Sequence, residues 1–315
     1  MSKEDLISVI MSTYNEDLKW IEESVNSILN QTYRNLEFVI ILDNPNNKQL
    51  RDMLDDYRDS DNRIKLIINE KNIGLVKSLN VALQQCTGTY IARMDADDIS
   101  VENRLEQQKK YLEANNLDFV FSGVKVIDEW SHESYESNNN ELKPDKVKRL
   151  LEITNCTYHP TWFIKSEVYK ELGGYREVSY CEDYDFSLRS ISKGYKIGKM
   201  NENILKYRIR SNSISRSFSL EQYLNMRGIL KLYKRNEQQN EVKVEQMLKI
   251  SKENSNEKES ERFRLADIEM NEAVELIKQK EFVSGLIKFL KSIKISKYYR
   301  KKNIEHLIYT LYKSI

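Results

Sequence analysis

The chain has 315 residues, enough for one large α/β domain and a smaller appendage. Its 50 lysines and arginines nearly cancel 49 aspartates and glutamates, which argues against a nucleic-acid partner. Three scattered cysteines, Cys86, Cys156 and Cys181, form no CxxC pair, so neither a disulfide framework nor a zinc site is expected and a reducing compartment fits.

Met1–Asp5 leads directly into a short apolar run, without the long apolar stretch of a signal peptide or a membrane span. The expectation is a protein of the cytoplasm, or one attached peripherally to the inner face of the cell membrane. Leu6–Met11 reads as a buried parallel strand. Leu18, Ile21, Val25 and Ile28 then fall on one helical face. Leu36–Leu42, Ile64–Ile68 and Tyr90–Met94 read as further strands, with a helical stripe at Val76, Leu79, Ala82 and Leu83 between the last two. Repeated β-α-β units predict an open, mostly parallel, Rossmann-like sheet whose ligands bind beyond the carboxyl ends of its strands. Polar residues follow each of these strands: Thr13-Tyr14-Asn15, Asp43-Asn44, Asn69–Gly74 and Asp95-Ala96-Asp97-Asp98. All four clusters are expected to line one edge of the sheet.

Further along, Asp118–Asp128 has a strand pattern, Ser131–Asn140 reads as a polar loop, and a helix is expected around Val147–Leu151. Strand-like pieces run to about Ile209, and beyond Ser219 the chain reads as helical. The predicted division is a catalytic domain over residues 1–218 and a helical region over 219–315, with a flexible hinge at Ser251–Ser260.

Asp95, Asp97 and Asp98 close a predicted buried strand. Carboxylates this close repel unless a cation or hydrogen bonds hold them. A hard divalent cation, Mn²⁺ or Mg²⁺, suits oxygen ligands and leaves positions open for phosphate. The alternative is an acidic turn capping a helix that begins near Ser100. The position of the cluster beside three other polar strand ends favours the cation.

The residues Ser8–Asn15, Asn72-Ile73-Gly74-Leu75 with Ser78-Leu79-Asn80, Arg93–Asp98, Gly173-Gly174-Tyr175 and Glu182-Asp183-Tyr184-Asp185, in this order, resemble family 2 glycosyltransferases of the GT-A fold. The resemblance spans roughly residues 6–215. It implies an inverting, metal-dependent transfer of a hexose from a nucleotide-sugar, commonly a UDP-sugar, to a hydroxyl of a glycan or lipid-linked glycan. Such enzymes often build surface polysaccharides such as capsule. Residue by residue, it implies that Thr13, Tyr14 and Asn15 contact the nucleotide and that Asp43 accepts a hydrogen bond from the base. Asn72 belongs to the same donor-binding set. Asp95 would lie by the ribose and diphosphate, and Asp97, with Asp95, would hold the metal. Asp183 would be the catalytic base, with Glu182 beside it binding sugar.

Two positions depart from the family pattern. A second aspartate is missing beside Asp43, where Leu42 stands. Arg210 stands where relatives often carry a histidine after the Tyr207-Arg208 pair, and an arginine can clamp a diphosphate but not ligate a cation. Asp183 precedes a helical pattern that Phe186, Leu188 and Ile191 would anchor; the competing reading makes Asp183 or Asp185 its N-cap.

Other residues carry two readings each. Arg93 is expected to pair with nearby carboxylates. Arg104 and Gln108 read first as a solvated helix face and second as a phosphate or supporting contact. His159 reads as structural or as lining a sugar pocket, Trp162 and Tyr180 as core or as sugar-stacking rings. Gly173-Gly174-Tyr175 is expected to form a tight turn.

Near the end, Leu286, Phe289, Leu290 and Ile293 form an apolar stripe interleaved with Lys288, Lys291, Lys294 and Lys297, followed by the basic, aromatic run Lys297–Lys302. This suits either a helix on an anionic membrane surface or a helical bundle with solvated lysines. Two other functions compete with sugar transfer. A sugar nucleotidyltransferase would want a glycine-rich basic loop after the first strand, which Thr13–Asp17 is not. A non-catalytic nucleotide-sugar-binding protein would not need Asp183 beside an intact D-x-D.

Overall fold

The computed structural model describes residues 4–138, 140–210 and 219–314. Four parallel strands form one half of a nine-stranded sheet, in the order β3 (Ile64–Ile68), β2 (Leu36–Leu42), β1 (Ile7–Thr13), β4 (Tyr90–Asp95). Every residue of β2 and all but one of β1 are buried, as befits strands covered on both faces. Their connections carry α1 (Leu18–Leu29), α2 (Lys48–Ser60) and α3 (Leu75–Gln85). Helix α1 starts where the Asp17 carboxylate accepts from the Lys19 amide, and it buries Ile21, Val25 and Ile28. The GT-A-type α/β architecture with appended C-terminal helices is what the chain adopts.

Past β4 the sheet is mixed. β8 (Phe163–Lys165) lies antiparallel to β4 and to β6 (Phe119–Ile127), β9 (Ile197–Arg208) runs parallel to β6, and β5 (Ile99–Ser100) closes the order antiparallel to β9. Two local expectations change. Ser100 does not open a helix: it is held in β5, its amide donating to Ser27 Oγ at 3.0 Å, and α4 (Arg104–Ala114) begins at Arg104. The polar stretch at Ser131–Asn140 is not all loop, because Glu133–Glu136 forms an exposed edge strand, β7, on β6.

The remaining helices are α5 (Pro144–Leu151), α6 (Ser166–Leu172), α7 (Glu182–Ser192), α8 (Ser219–Lys234), α9 (Glu241–Asn254), α10 (Glu257–Lys278), α11 (Phe282–Ile295) and α12 (Lys297–Ser314). The chain forms two compact units. Unit one holds the whole sheet, in residues up to Lys148, Thr157–Glu177 and Arg189–Arg210. Unit two holds Arg149–Cys156, Val178–Leu188 and the helices from Ser219 onward. A single cut at residue 218 therefore does not describe the packing: two segments from within the first 218 residues belong with the helices. The cut itself lies at the edge of residues outside the described set.

Unit two has its own core, in which Phe263 stacks on Tyr223 at 5.7 Å and meets Tyr299 edge-on at 5.2 Å, with Leu220 and Ala266 beside them. The hydrophilic Ser251–Ser260 stretch is helical except at Ser255-Asn256. There the Asn256 carboxamide accepts from the Glu259 amide and caps α10, so capping replaces the expected flexible hinge.

Candidate active site

The carboxyl ends of the four parallel strands are flush. Thr13 pairs with Leu42, Leu42 with Ile68, and Ser12 with Asp95, so the polar residues after each strand emerge at one level. At the end of β1, Glu16 folds back onto its own loop, accepting from Thr13 Oγ1 at 2.6 Å and from the Tyr14 amide at 2.7 Å. That leaves the Tyr14 ring 42 % exposed over the rim. Asn15 Oδ1 accepts from Asn44 Nδ2 at 2.6 Å, tying the first loop to the second.

Asp43 is buried and holds the loop after β3. It accepts from Asn69 Nδ2 at 2.8 Å and from the Ile73 and Gly74 amides at 2.9 and 2.8 Å. Asn72 Oδ1 also takes the Gly74 amide, at 3.0 Å. The carboxylate thus fixes the loop at the β2 and β3 ends, and its remaining lone pairs are the ones a ligand could use.

The Asp95–Asp98 turn is gripped by arginines. Arg93 is buried and ion-paired with Asp95, as the sequence led one to expect. Burial opposes the charge on Arg93, but Asp95 outweighs it and raises the pKa of the guanidinium. Arg210 Nε lies 2.7 Å from Asp97 Oδ2. Burial and then Asp95, with Arg210 opposing, lift the Asp97 carboxyl to about 6. Asp98 is fully enclosed, accepts from the Arg208 amide at 2.9 Å, and is pushed well above the carboxylate range by burial and by Asp97 and Asp95. Three acids packed this tightly are in electrostatic conflict, which a cation would relieve.

Among the described residues, no group of three or more His, Cys, Asp or Glu side chains is placed to hold a metal ion. Asp97 and Asp95 supply two carboxylates, a donor set that suits a hard cation whose other positions are filled by phosphate oxygens and water.

Arg208 is the residue that reading the sequence overlooked. Its buried guanidinium donates to the Asp97 carbonyl at 2.8 Å, to the Asp128 carbonyl at 3.0 Å, to Ser131 Oγ at 2.9 Å and to Glu23 Oε2 at 2.6 Å. Trp20 lies against it at 5.3 Å. No local pattern announces this hub, since its partners come from three separate stretches of chain, around Glu23, Asp97 and Asp128–Ser131. Glu16 was more legible: the Thr13-x-x-Glu16 spacing is that of a reciprocal cap.

Several double readings resolve. Arg104 and Gln108 are not a solvated face but are wholly buried: Arg104 donates to the Arg93 carbonyl at 2.7 Å and to Gln108 at 2.9 Å, and Gln108 donates to the Thr161 carbonyl at 2.6 Å. Burial pulls the Arg104 guanidinium down to about 9. Trp162 is core, edge-on to Phe119 at 4.6 Å, and cannot stack on a sugar. His159 is structural, its Nε2 sharing a hydrogen bond with the Tyr175 hydroxyl at 2.8 Å; burial, then Arg93, keep it neutral. The glycine turn forms as expected: Gly173 and Gly174 have φ of 69° and 74°, and Asn80 clamps Tyr175 from both sides of its peptide at 2.9 and 2.8 Å.

The Glu182-Asp183 pair belongs to unit two. Glu182 is the first residue of α7, so neither Asp183 nor Asp185 precedes the helix as an N-cap. Phe186 and Leu188 are fully buried and Ile191 nearly so, anchoring α7 as expected. Asn155 Nδ2 donates to Asp183 Oδ2 at 2.8 Å and fixes the carboxylate. Asp183 lines a cavity of about 860 Å³ wholly within unit two, with Asn155, Tyr180, Gln222, Asn271 and Lys302 also on its wall. Tyr180 is held at a φ of 60°, a strained value for this residue type, with its carbonyl accepting from Gln222 Nε2 at 2.9 Å.

A sheet with flush polar strand ends and an aspartate-rich turn offers a ligand-binding edge, and sequence comparison places the chain. Residues 8–173 match glycosyl transferase family 2, and the protein belongs to that family. It is 35% identical over 240 residues to the Escherichia coli O-antigen biosynthesis glycosyltransferase WbnJ, covering 71% of this chain and 91% of the relative. It is 31% identical over 217 residues to the Escherichia coli UDP-Glc:alpha-D-GlcNAc-diphosphoundecaprenol beta-1,3-glucosyltransferase WfgD, covering 67% and 79%. Among solved structures, S. aureus TarS 1-349 in complex with UDP-GlcNAc shares the fold, with a TM-score of 0.58 at 20% identity over 94% of this chain and 92% of that one. The protein is thus a family 2 glycosyltransferase.

Proposed function

We propose that the protein is an inverting enzyme that moves the sugar of a UDP-sugar onto a hydroxyl of a glycan or lipid-linked glycan. The observation that carries this reading is the shared level of four strand ends, where Asp43 holds the loop after β3 and the Asp95–Asp98 turn concentrates acid. The names of two proteins compared above support the donor and acceptor classes: TarS was captured with UDP-GlcNAc, and WfgD takes UDP-Glc to a diphosphoundecaprenol-linked sugar.

In this reading Thr13, Tyr14 and Asn15 hold the nucleotide, while Asp43 and Asn72 receive the base. Asp97 and Asp95 would hold Mn²⁺ or Mg²⁺, which when bound neutralises the diphosphate. Arg93 orients Asp95, and Arg210 is positioned by Asp97 as a second cation for the same phosphate oxygens. Asp183, steadied by Asn155, accepts the proton of the acceptor hydroxyl; Glu182 binds sugar beside it. The acceptor oxygen then forms its bond to the anomeric carbon from the side opposite the leaving group. The bond from that carbon to the diphosphate oxygen breaks, its electron pair departing with UDP. A lipid-linked acceptor would place the enzyme at the cytoplasmic face of a membrane.

The test is a screen of nucleotide-sugars for metal-stimulated release of the nucleoside diphosphate, followed by NMR of the product. Release from UDP-sugars, with the anomeric configuration reversed, is expected. A product of retained configuration, or an Asp183→Asn protein that transfers at the wild-type rate, refutes the mechanism.

A further inference from the structure

Helix α11 is apolar on the side where a surface helix is normally polar. Its inward side packs tightly on α10: Gly285 sits so close that a Cβ there would lie 2.7 Å from Ile277 Cγ1, and Ser292 is fully buried. Lys288 bridges Glu269 and Glu272, and Lys291 pairs with Glu269, which completes that interface. The opposite side carries Phe282, Val283, Leu286, Ile287 and Leu290, exposed by 65, 75, 56, 61 and 42 %. At 100° per residue these five fall within an arc of about 140°. α12 exposes a second apolar stripe, Ile304, Leu307, Ile308 and Leu311. An exposed apolar arc such as that on α11 marks an interaction site.

The charges around this surface select the partner. From Lys280 to Lys302 there are eight basic side chains and one acidic one, Glu281. With Lys288, Lys291 and Lys302 neutralised by α10 carboxylates, exposed Lys280, Lys294, Lys297, Arg300 and Lys301 remain to face outward ions. A second copy of the chain would meet this basic surface with its own and be repelled. An anionic bilayer supplies both missing complements, acyl chains for the apolar arc and phosphate for the cations.

We propose that the outward face of α11 is a peripheral docking surface for an anionic phospholipid membrane. The helix lies in the plane of the bilayer, with Phe282, Val283, Leu286, Ile287 and Leu290 at the acyl boundary and the lysines at the headgroups. No helix of the described residues is long and apolar enough to cross the membrane. This names the surface behind the membrane location suggested by a lipid-linked acceptor, yet its test does not depend on sugar transfer.

The full chain is floated with vesicles of phosphatidylcholine alone and of phosphatidylcholine with phosphatidylglycerol. Binding to the phosphatidylglycerol vesicles alone, weakened by salt, is the expected result. Each basic residue at the surface is worth about fivefold in partitioning, so Lys280→Gln/Lys294→Gln should bind about 25-fold more weakly. Phe282→Ser/Leu286→Ser/Ile287→Ser should abolish binding, with thermal unfolding and UDP-sugar hydrolysis in solution unchanged. No vesicle binding, or equal binding to both compositions, overturns the proposal. So does a wild-type dimer, seen by light scattering, that the triple serine variant dissociates, because the face then belongs to a second copy. Should UDP-sugar hydrolysis be absent while vesicle binding persists, the sugar-transfer reading fails and the docking surface stands.

Discussion

Replacing Arg208 with alanine removes a buried side chain that ties the aspartate turn to Glu23 and to the Asp128–Ser131 loop. Its guanidinium makes four hydrogen bonds of 2.6–3.0 Å, with Asp97 O, Asp128 O, Ser131 Oγ and Glu23 Oε2, and is itself fully enclosed. The alanine variant takes the side-chain donor from the Asp97 carbonyl and the arginine from the Glu23 carboxylate, which is 26 % exposed and keeps Ser131 Oγ at 3.1 Å. Breaking a buried ion pair by deleting one partner costs about 3–5 kcal/mol, mostly through the group left behind. For a domain of this size each kcal/mol shifts the midpoint by about 2–4 °C. The expected loss is therefore about 6–20 °C for the transition of the sheet unit, followed by calorimetry on the full chain. Arg208→Lys should recover only part, since an ammonium can reach Glu23 but cannot fork to both carbonyls. Because the Asp97 carbonyl is one of the lost acceptors, nucleotide-sugar affinity measured below the transition should fall as well. A variant that unfolds within about 1 °C of wild type would show that the hub carries no stability.

Three other substitutions probe different links. Asn155→Ala removes one hydrogen bond from the Asp183 carboxylate, so turnover should drop by a smaller factor than the ~10²–10⁴ expected for Asp183→Asn, with donor affinity held constant; single-turnover kinetics would separate the two. Gly174→Ala places a Cβ 2.5 Å from Asn80 Oδ1 at a φ of 74°, and should destabilise by about 1–3 kcal/mol in urea titration; an unchanged midpoint would remove the clamp argument. Glu37 is buried, which alone would raise its pKa, but Lys65 at 2.5 Å, Ser8 Oγ at 2.6 Å and the Thr87 amide at 2.6 Å hold it below the usual value. A depressed carboxyl contributes stability that is full above the ordinary carboxylate range and is lost as pH falls through the lower folded value. Wild type should accordingly lose more stability than Glu37→Gln on acidification below about pH 4.5, and parallel pH profiles would contradict this.

How far the sequence alone reached follows from the range over which each determinant acts. The parallel strands, α1, α3 and the four polar strand ends were legible because apolar runs and helical spacing are local, and because a parallel sheet puts every carboxyl end on one edge. The same holds for the Gly173-Gly174 turn, whose positive φ values only glycine adopts without strain. The C-terminal stripe was also visible, since both its apolar residues and its lysines recur at helical spacing.

What only the tertiary structure decided depends on partners distant in the chain. A lone arginine reads as solvent-facing until its acceptors are known, which is why Arg104 looked exposed and Arg208 went unnoticed, though both are buried among carbonyls contributed by other elements. Asp43 looked like a residue for the base alone, and the fold shows that it first holds the loop at Ile73 and Gly74, thirty residues on. No run of sequence marks Arg149–Cys156 and Val178–Leu188 as companions of the C-terminal helices. Periodicity records which face of an element is apolar, but not which surface will cover it, and that choice belongs to packing.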